Sequence, residues 1–407
     1  MIGALTYDEL MLVMVLAVGI PLVLALFPRL PIPNSVVEIL AGIVVGPAVL
    51  GLVQPDEVIE VLATLGVAFL LFLAGLELDF DEMRGRPLRL GGLTFGLSVV
   101  IALVLTTPLG VTDVIIDPLF VTVVLSATAL GIVMPVLKDA HQTHTTFGKF
   151  VVVSCSIAEF GSIVLLSLLF TGSGGGGVVQ GIVKLVILVV AVLVIAFAAS
   201  RAGEFHRLDD ILYKLQDTSA QIRIRAAVLV LLALLVLSQE LKFDAILGAF
   251  LAGALLAALT DVERDEDFGH FRVKLEGLGF GFFVPVFFIS TGLSFPVDAL
   301  FSDASAALRV PLFLVLLLLA RGLPALVFRD VMSRPQVVAA GLMQATSLSF
   351  IVVATEIGVT IGELRPINAA SMVAAGMLSV LIFPALSLAI LRREGQGTAT
   401  APVPEPT

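Results

Sequence analysis

One acidic residue stands in the middle of a long apolar stretch. Glu159 lies near the midpoint of residues 147–170, within the shorter stretch 154–162 that also holds three serines and the single cysteine of the chain, Cys155. A carboxylate at the centre of a bilayer costs roughly 2.5–3.5 kcal/mol on insertion scales, so such a group usually faces protein or a wet cavity. We therefore predict that Glu159 belongs to a transport pathway. The alternative is a structural polar contact between helices.

A fixed positive charge lies within another apolar stretch. Arg321 belongs to the run 306–328. Because arginine keeps its proton in proteins, it must meet an anion or backbone carbonyl groups. Glu159 and the carbonyl end of an interrupted helix are the two candidate partners. The alternative is that the side chain snorkels to the membrane surface.

Two short clusters of polar residues also fall within apolar segments, at Ser126–Ala129 and at Gln344–Ser349. Polar residues at such points indicate interrupted helices, whose free N–H and C=O ends can bind ions and offset buried charge. The alternative is ordinary packing of small residues between helices. Oxygen atoms suit hard cations. The candidate cation ligands beside Glu159 are Ser126, Thr128, Ser156, Gln344 and Thr346.

The elements that must position these residues are membrane helices. The 407 residues are 58 % hydrophobic and 14 % charged, whereas soluble domains carry about 25 % charged residues. Such apolar runs satisfy their backbone groups as helices, so the sequence predicts an all-α polytopic membrane protein. We predict thirteen segments: 8–27, 35–52, 58–78, 88–109, 114–137, 147–170, 178–200, 225–241, 243–260, 275–295, 306–328, 337–358 and 367–391.

Motifs of other functional classes are missing from the sequence. It has no P-loop, dinucleotide-binding or zinc-protease pattern, so we expect neither an enzyme nor a cofactor. The formal charge of −10 is spread over loops and does not favour nucleic-acid binding.

The loop charges predict the orientation of the chain. With the N-terminus outside, the inward loops carry eighteen Lys and Arg residues, and the outward loops carry only Lys242 and Arg365. Cytoplasmic loops are enriched in basic residues. We therefore expect a multi-pass cell-membrane protein with a cytoplasmic C-terminus.

Short matches between the two halves indicate an internal repeat. Ala127–Leu130 recurs as Ala345–Leu348, Gly75 matches Gly292, and Ala41-Gly42 matches Ala252-Gly253. The offset is seven helices, so equivalent helices cross the membrane in opposite senses, an arrangement typical of secondary transporters. We predict a six-plus-six inverted repeat with two crossed interrupted helices. Its parts are a first repeat over 1–171, a linker helix and cytoplasmic loop over 172–222, a second repeat over 223–392, and a disordered cytoplasmic tail over 393–407.

Several stretches resemble the membrane part of the Kef-type cation:proton antiporter-2 family. They are Arg-Leu-Pro-Ile-Pro at 29–33, Leu-Ala-Gly-Ile-Val-Val-Gly-Pro at 40–47, Leu-Phe-Leu-Ala-Gly-Leu-Glu-Leu at 71–78, Leu-Gly-Ala-Phe-Leu-Ala-Gly at 247–253 and Phe-Phe-Ile-Ser-Thr-Gly-Leu at 287–293. The resemblance implies thirteen helices with a core and a dimer domain, crossed unwound helices at 126–131 and 344–349, and a homodimer. Relatives carry a polar–Asp pair where this chain has Ala158-Glu159, and a basic residue, commonly Lys, where it has Arg321.

These features predict a secondary antiporter that exchanges Na⁺ or K⁺ for H⁺, with Na⁺ favoured. Glu159 is the shared carrier and Arg321 its charge partner, and one titrating acid predicts electroneutral one-for-one exchange. Two alternatives stay open: a sodium-coupled organic-solute symporter, and a non-transporting sensor or channel-like subunit.

Overall fold

The computed structural model describes residues 8–26, 33–78, 84–143, 145–170, 182–188, 190, 192, 194, 221–241, 243, 245–259, 266–298 and 304–399, and the regular secondary structure in these ranges is helical. Within these ranges, ten spans are long and apolar enough to cross a membrane, and two shorter apolar helices join them. Together they account for twelve of the thirteen predicted segments. The remaining one, 178–200, lies largely outside the described residues, although 182–188 are helical.

The helices follow the predicted order. The first half contains α1 (Asp8–Ala25), α2 (Asn34–Val45), α3 (Glu57–Leu76), α4 (Gly85–Val111), α5 (Pro118–Ser126), α6 (Leu130–Asp139) and α7 (Thr146–Phe170). The second half contains α8 (Ile222–Glu240), α9 (Ala245–Leu259), α10 (Glu266–Leu278), α11 (Val284–Leu293), α12 (Ala304–Gly322), α13 (Arg334–Gln344), α14 (Ser349–Thr360) and α15 (Pro366–Ala399). A π-helical segment, Gly279–Phe283, joins α10 to α11, and a 3₁₀ segment, Leu323–Asp330, follows α12.

Local capping explains where several helices begin. The Asp117 carboxylate accepts hydrogen bonds from the backbone N–H groups of Leu119 and Phe120, at 2.6 and 3.2 Å, and Pro118 occupies the first turn of α5. Ser333 and Gln336 form a reciprocal capping box at the start of α13. These side chains satisfy N–H groups that have no partner inside the helix.

The helices form two compact units. Unit 1 holds α1–α3, the end of α7 from Ile163 onward, and α8–α11. Unit 2 holds α4–α6, the rest of α7, and α12–α15. Each unit draws helices from both halves of the chain, so each predicted sequence repeat contributes to both units.

Two close helix contacts define unit 1. A Cβ atom added at Gly42 of α2 would collide with the Ile289 carbonyl of α11, and one added at Gly292 of α11 would collide with the Ile39 carbonyl of α2. These are contacts in which only a glycine lets the two backbones approach.

The second contact of unit 1 has the same form. Gly75 of α3 lies against the Phe250 carbonyl of α9, and Gly253 of α9 lies against the Phe72 carbonyl of α3. The sequence matches had related Gly42 to Gly253 and Gly75 to Gly292. The repeat therefore corresponds to one kind of helix contact that occurs twice.

Unit 2 contains the two interrupted helices. Its apolar core includes Leu130 of α6, Cys155 of α7 and Met343 of α13, and the rings of Phe150 and Phe328 pack edge-on at 5.7 Å. The buried face of α4 is lined by small and hydroxyl residues: Gly91, Thr94, Ser98, Ala102 and Thr106. Hydroxyl side chains on this face can bond to neighbouring helices.

The last helix is longer than its predicted apolar segment, 367–391. α15 continues to Ala399, and the Ser333 hydroxyl donates a hydrogen bond to the Glu394 carboxylate beyond the apolar part. The tail predicted over 393–407 therefore begins as helix, and residues 400–407 lie outside the described residues.

Candidate functional site

Both interrupted helices predicted from the polar clusters are present in unit 2. The helix made of α5 and α6 is open at 127–129, where Ala127 and Ala129 adopt extended backbone conformations. The helix made of α13 and α14 is open at 345–348. We call these segments the first and the second break. Each break leaves one helix C-terminus and one helix N-terminus buried inside the unit.

Backbone and side-chain hydrogen bonds join the two breaks. The Ala129 N–H donates to the Thr346 carbonyl at 3.0 Å, and the Thr128 hydroxyl donates to the Gln344 carbonyl at 2.6 Å. These bonds satisfy polar backbone groups that would otherwise be buried without partners. The two interrupted helices therefore cross at their breaks.

Glu159 of α7 lies at the N-terminal end of α6. Its side chain is 3 % exposed, and its Oε2 atom accepts a hydrogen bond from the Leu130 N–H at 3.1 Å. Leu130 is the first residue of α6, so its N–H has no partner within the helix. The positive end of the helix dipole stabilises a carboxylate at this position.

Arg321 of α12 lies at the opposite kind of helix end. It is fully buried, and its Nε atom donates to the Thr128 hydroxyl at 2.9 Å and to the Gln344 carbonyl at 3.3 Å. Gln344 ends α13, where the carbonyl groups carry partial negative charge. The sequence suggested Glu159 and the carbonyl end of an interrupted helix as partners of Arg321. The structure shows a hydrogen bond to the second of these.

A known protein family matches most of the chain, including both breaks, Glu159 and Arg321. The family described as "Sodium/hydrogen exchanger, transmembrane" matches residues 13–394. The chain belongs to this sodium/hydrogen exchanger family.

Named relatives are similar to the chain over most of its length. The putative Na⁺/H⁺ antiporter YjbQ of Bacillus subtilis is 26 % identical over 403 residues, which cover 95 % of this chain and 64 % of YjbQ. The probable Na⁺/H⁺ antiporter 3 of Methanocaldococcus jannaschii is 26 % identical over 371 residues, with 88 % of this chain and 90 % of the relative covered. The Na⁺/H⁺-K⁺ antiporter GerN of Bacillus cereus is 24 % identical over 367 residues, with 88 % and 89 % covered.

A solved structure shares the fold. The sodium proton antiporter MjNhaP1 of Methanocaldococcus jannaschii matches with a TM-score of 0.66 and 18 % identity, over 97 % of this chain and all of that chain. At this identity the likeness establishes the fold. It confirms the all-helical sodium/proton antiporter architecture predicted from the sequence.

The candidate ligands of this exchanger-family chain differ in their surroundings. The hydroxyl groups of Ser126, Ser156 and Thr346 donate to the backbone carbonyl groups four residues earlier in the chain, at 2.7, 2.9 and 3.2 Å. Their protons are thereby used, while oxygen lone pairs stay available to a cation. Thr128 bridges Arg321 and Gln344 as described above.

Gln344 contributes in two ways. Its carbonyl accepts the bonds from Thr128 and Arg321, whereas its side-chain Nε2 and Oε1 atoms are buried without hydrogen-bond partners among the described residues. The Arg321 Nη2 atom and the Ser347 hydroxyl share this condition. Unpartnered buried polar atoms are costly in a folded protein, which makes them candidates for contact with an occupant of the site.

Sequence reasoning missed the support that α4 gives to Arg321. The Ser98 hydroxyl accepts a hydrogen bond from Arg321 Nη1 at 2.8 Å and donates to the Thr94 carbonyl at 2.8 Å. The Thr94 hydroxyl in turn lies 2.6 Å from the Ser154 hydroxyl of α7. The spacing of the buried residues along α4 was the available signal, but it does not reveal which side chain Ser98 meets.

Proposed function

We propose that this chain is a secondary antiporter that exchanges a monovalent cation for protons, and that both compete for the Glu159 carboxylate. The observation that carries the proposal is a buried acid at the N-terminus of an interrupted helix. Family membership supports it. The named relatives are Na⁺/H⁺ antiporters, and GerN adds K⁺, so Na⁺ is the favoured cation and K⁺ the second candidate.

The exchange step follows from the chemistry of one carboxyl group. When protonated, Glu159 offers no anionic oxygen to a hard cation, and when ionised it does. The Leu130 N–H and the dipole of α6 stabilise the ionised form. A proton and a cation then take alternate turns at the group, which couples their fluxes without ATP. The buried amide of Gln344 and the hydroxyls of Ser126, Thr128, Ser156 and Thr346 supply candidate oxygen ligands.

Arg321 is the charge partner in this proposal and supplies a fixed positive charge. Its charge stays fixed because a guanidinium does not lose its proton in the working range. With Glu159 as the titrating acid at the crossing, each cycle carries one cation against one proton and moves no net charge. Exchange rates in proteoliposomes should therefore stay constant when the membrane potential is clamped at different values.

The test of the carrier is dye-reported pH change in proteoliposomes after addition of Na⁺, K⁺ or Li⁺. Glu159→Gln keeps the size of the side chain and removes the titrating group, so it should abolish exchange with every cation. The matched control is Glu240→Gln, the same substitution at an exposed position at the end of α8. It should retain exchange within about twofold of wild type, since exposed substitutions away from special features have small effects.

Two results would contradict the proposal. Retained cation-dependent proton flux in Glu159→Gln would place the carrier elsewhere. Sodium uptake that depends on an organic solute and moves no protons would favour the symporter instead.

Further parts of the prediction belong to the same proposal. We place the protein in the Kef-type subgroup and expect a homodimer in the lipid bilayer. The predicted inverted repeats, 1–171 and 223–392, would allow the crossing to face each side of the membrane in turn. The N-terminus lies outside and the C-terminus lies in the cytoplasm.

A further inference from the structure

The second break is held by one hydroxyl group of α15. The Ser347 N–H donates to the Ser379 Oγ atom at 3.1 Å. The Ser379 hydroxyl can in turn donate to the Ser347 carbonyl oxygen, 3.1 Å away, or to the Gly376 carbonyl oxygen, 2.7 Å away. Ser379 is fully buried. A single side chain thus contacts both backbone polar groups of one residue, Ser347, in the unwound segment.

The backbone of α15 also comes close to the same residue. A Cβ atom added at Gly376 would lie 2.9 Å from the Ser347 carbonyl oxygen, a separation that Cβ atoms rarely adopt. Gly376 and Ser379 are neighbours on one face of α15, three residues apart. The position of Ser347 is therefore fixed from α15 by a hydrogen-bonding group and by a close backbone approach.

The first break is held in a comparable way by different chemistry. There, the Leu130 N–H donates to the Glu159 carboxylate of α7. In the matched motifs Ala127–Leu130 and Ala345–Leu348, Leu130 is the fourth residue and Ser347 the third. The distance along the sequence from Glu159 to Gly376 is nearly the same as the distance between the two motifs. A titrating acid serves one break, and a neutral hydroxyl serves the other.

We propose that Ser379 is a positioning residue that fixes the second break and thereby sets the apparent affinity of Glu159 for the cation. Ser347 is covalently joined to Thr346, whose carbonyl accepts the Ala129 N–H. Ala129 precedes Leu130, whose N–H binds Glu159. Displacement of Ser347 therefore reaches the carboxylate through adjacent peptide units. This inference rests on the proposed antiport function.

The test measures cation-dependent proton flux by the full-length protein in proteoliposomes, with KM for Na⁺ and maximal rate determined separately. Ser379→Ala removes the hydroxyl and should raise KM about tenfold, with the maximal rate within about twofold of wild type, since each lost hydrogen bond weakens the held geometry by a modest amount. Ser379→Thr keeps the hydroxyl and should return KM toward the wild-type value.

A second variant acts on the backbone of the same residue, Ser347, without removing the hydroxyl. Gly376→Ala introduces a methyl group against the Ser347 carbonyl and should also raise KM. It keeps the proposal testable if Ser379→Ala does not fold.

The matched control is Ser387→Ala on the same helix. Ser387 is fully buried and its hydroxyl donates to the Ala339 carbonyl of α13 at 2.9 Å, away from the break. It loses a hydrogen bond of the same kind, yet its KM should stay within about twofold of wild type.

The outcomes separate this inference from the function on which it rests. Wild-type protein without cation-evoked proton flux overturns both. Wild-type exchange together with an unchanged KM in Ser379→Ala and Gly376→Ala overturns the positioning role alone. The same holds if Ser379→Ala and Ser387→Ala lower the maximal rate equally and leave KM unchanged.

Discussion

Two buried charges in unit 2 each lie at a helix end of opposite partial charge. Glu159 accepts a hydrogen bond from the first N–H of α6, and Arg321 donates to the last carbonyl of α13. Each helix end offsets part of the free energy lost when a charge leaves water. The sequence revealed which residues carry the charges, because charged side chains are rare in apolar segments.

The partners of these charges were harder to predict. Leu130 acts through its backbone N–H, which carries no signal in the residue type. Ser98 and Ser379 are ordinary serines on helices that also contain other serines. Their roles depend on how the helices pack, so a single sequence does not distinguish them from Ser387 or Ser167.

The bond between Ser98 and Arg321 leads to a stability prediction. Ser98→Ala leaves Nη1 of a fully buried guanidinium without its hydroxyl acceptor and should destabilise the protein by about 1.5–3 kcal/mol, the range for hydrogen bonds to charged groups. Ser387→Ala removes a bond between neutral groups and should cost about 1 kcal/mol. Cys155 is the only cysteine and is buried, so a thiol-reactive fluorescent dye reports unfolding on heating.

The apparent Tm in this assay should fall further for Ser98→Ala than for Ser387→Ala. Equal shifts would mean that the charge on Arg321 adds nothing to the Ser98 bond.

At the scale of elements, the helix contacts of unit 1 depend on glycines rather than on polar groups. The sequence predicted the order of the helices and the two interrupted ones well, since apolar length and polar clusters are read directly from the residues. It did not predict the π-helical segment Gly279–Phe283 or the short length of α2. In the π-helical segment, Phe283 stacks on Phe69 with ring centroids 4.8 Å apart, a contact that the pattern of apolar residues does not specify.

The glycine contact between α2 and α11 predicts that adding a methyl group is harmful there but not at an exposed glycine elsewhere. Gly292→Ala places a methyl group against the Ile39 carbonyl and should destabilise the protein by about 1–3 kcal/mol through overpacking. Gly277→Ala, on the exposed part of α10, has no atom within 4 Å of the added Cβ and should be neutral or stabilise by up to about 1 kcal/mol.

The measurement is the fraction of monodisperse protein that remains after heating in detergent, followed by size-exclusion chromatography. This readout does not depend on Cys155, which lies in unit 2. A Gly292→Ala protein as heat-resistant as Gly277→Ala would show that the backbones of α2 and α11 can separate at little cost.

At the scale of the whole molecule, the distribution of basic residues predicts the orientation of the helices in the membrane. The prediction places the α4–α5 connection outside and the segment before α13 inside. Thr112 is exposed in the former, and Arg329, with its side chain 81 % exposed, lies in the latter. Positive charge is retained on the cytoplasmic side during insertion, so these two positions should be reached by a membrane-impermeant maleimide from opposite faces.

Variants with one introduced cysteine make this topology measurable. Thr112→Cys should react in intact cells, and Arg329→Cys should react only in inside-out vesicles. Wild-type protein supplies the blank in both preparations, because its lone thiol on Cys155 is fully buried. Labelling of Arg329→Cys in intact cells would reverse the orientation. The predicted direction of access to Glu159 would then also be reversed, although the crossing of the two breaks would remain as described.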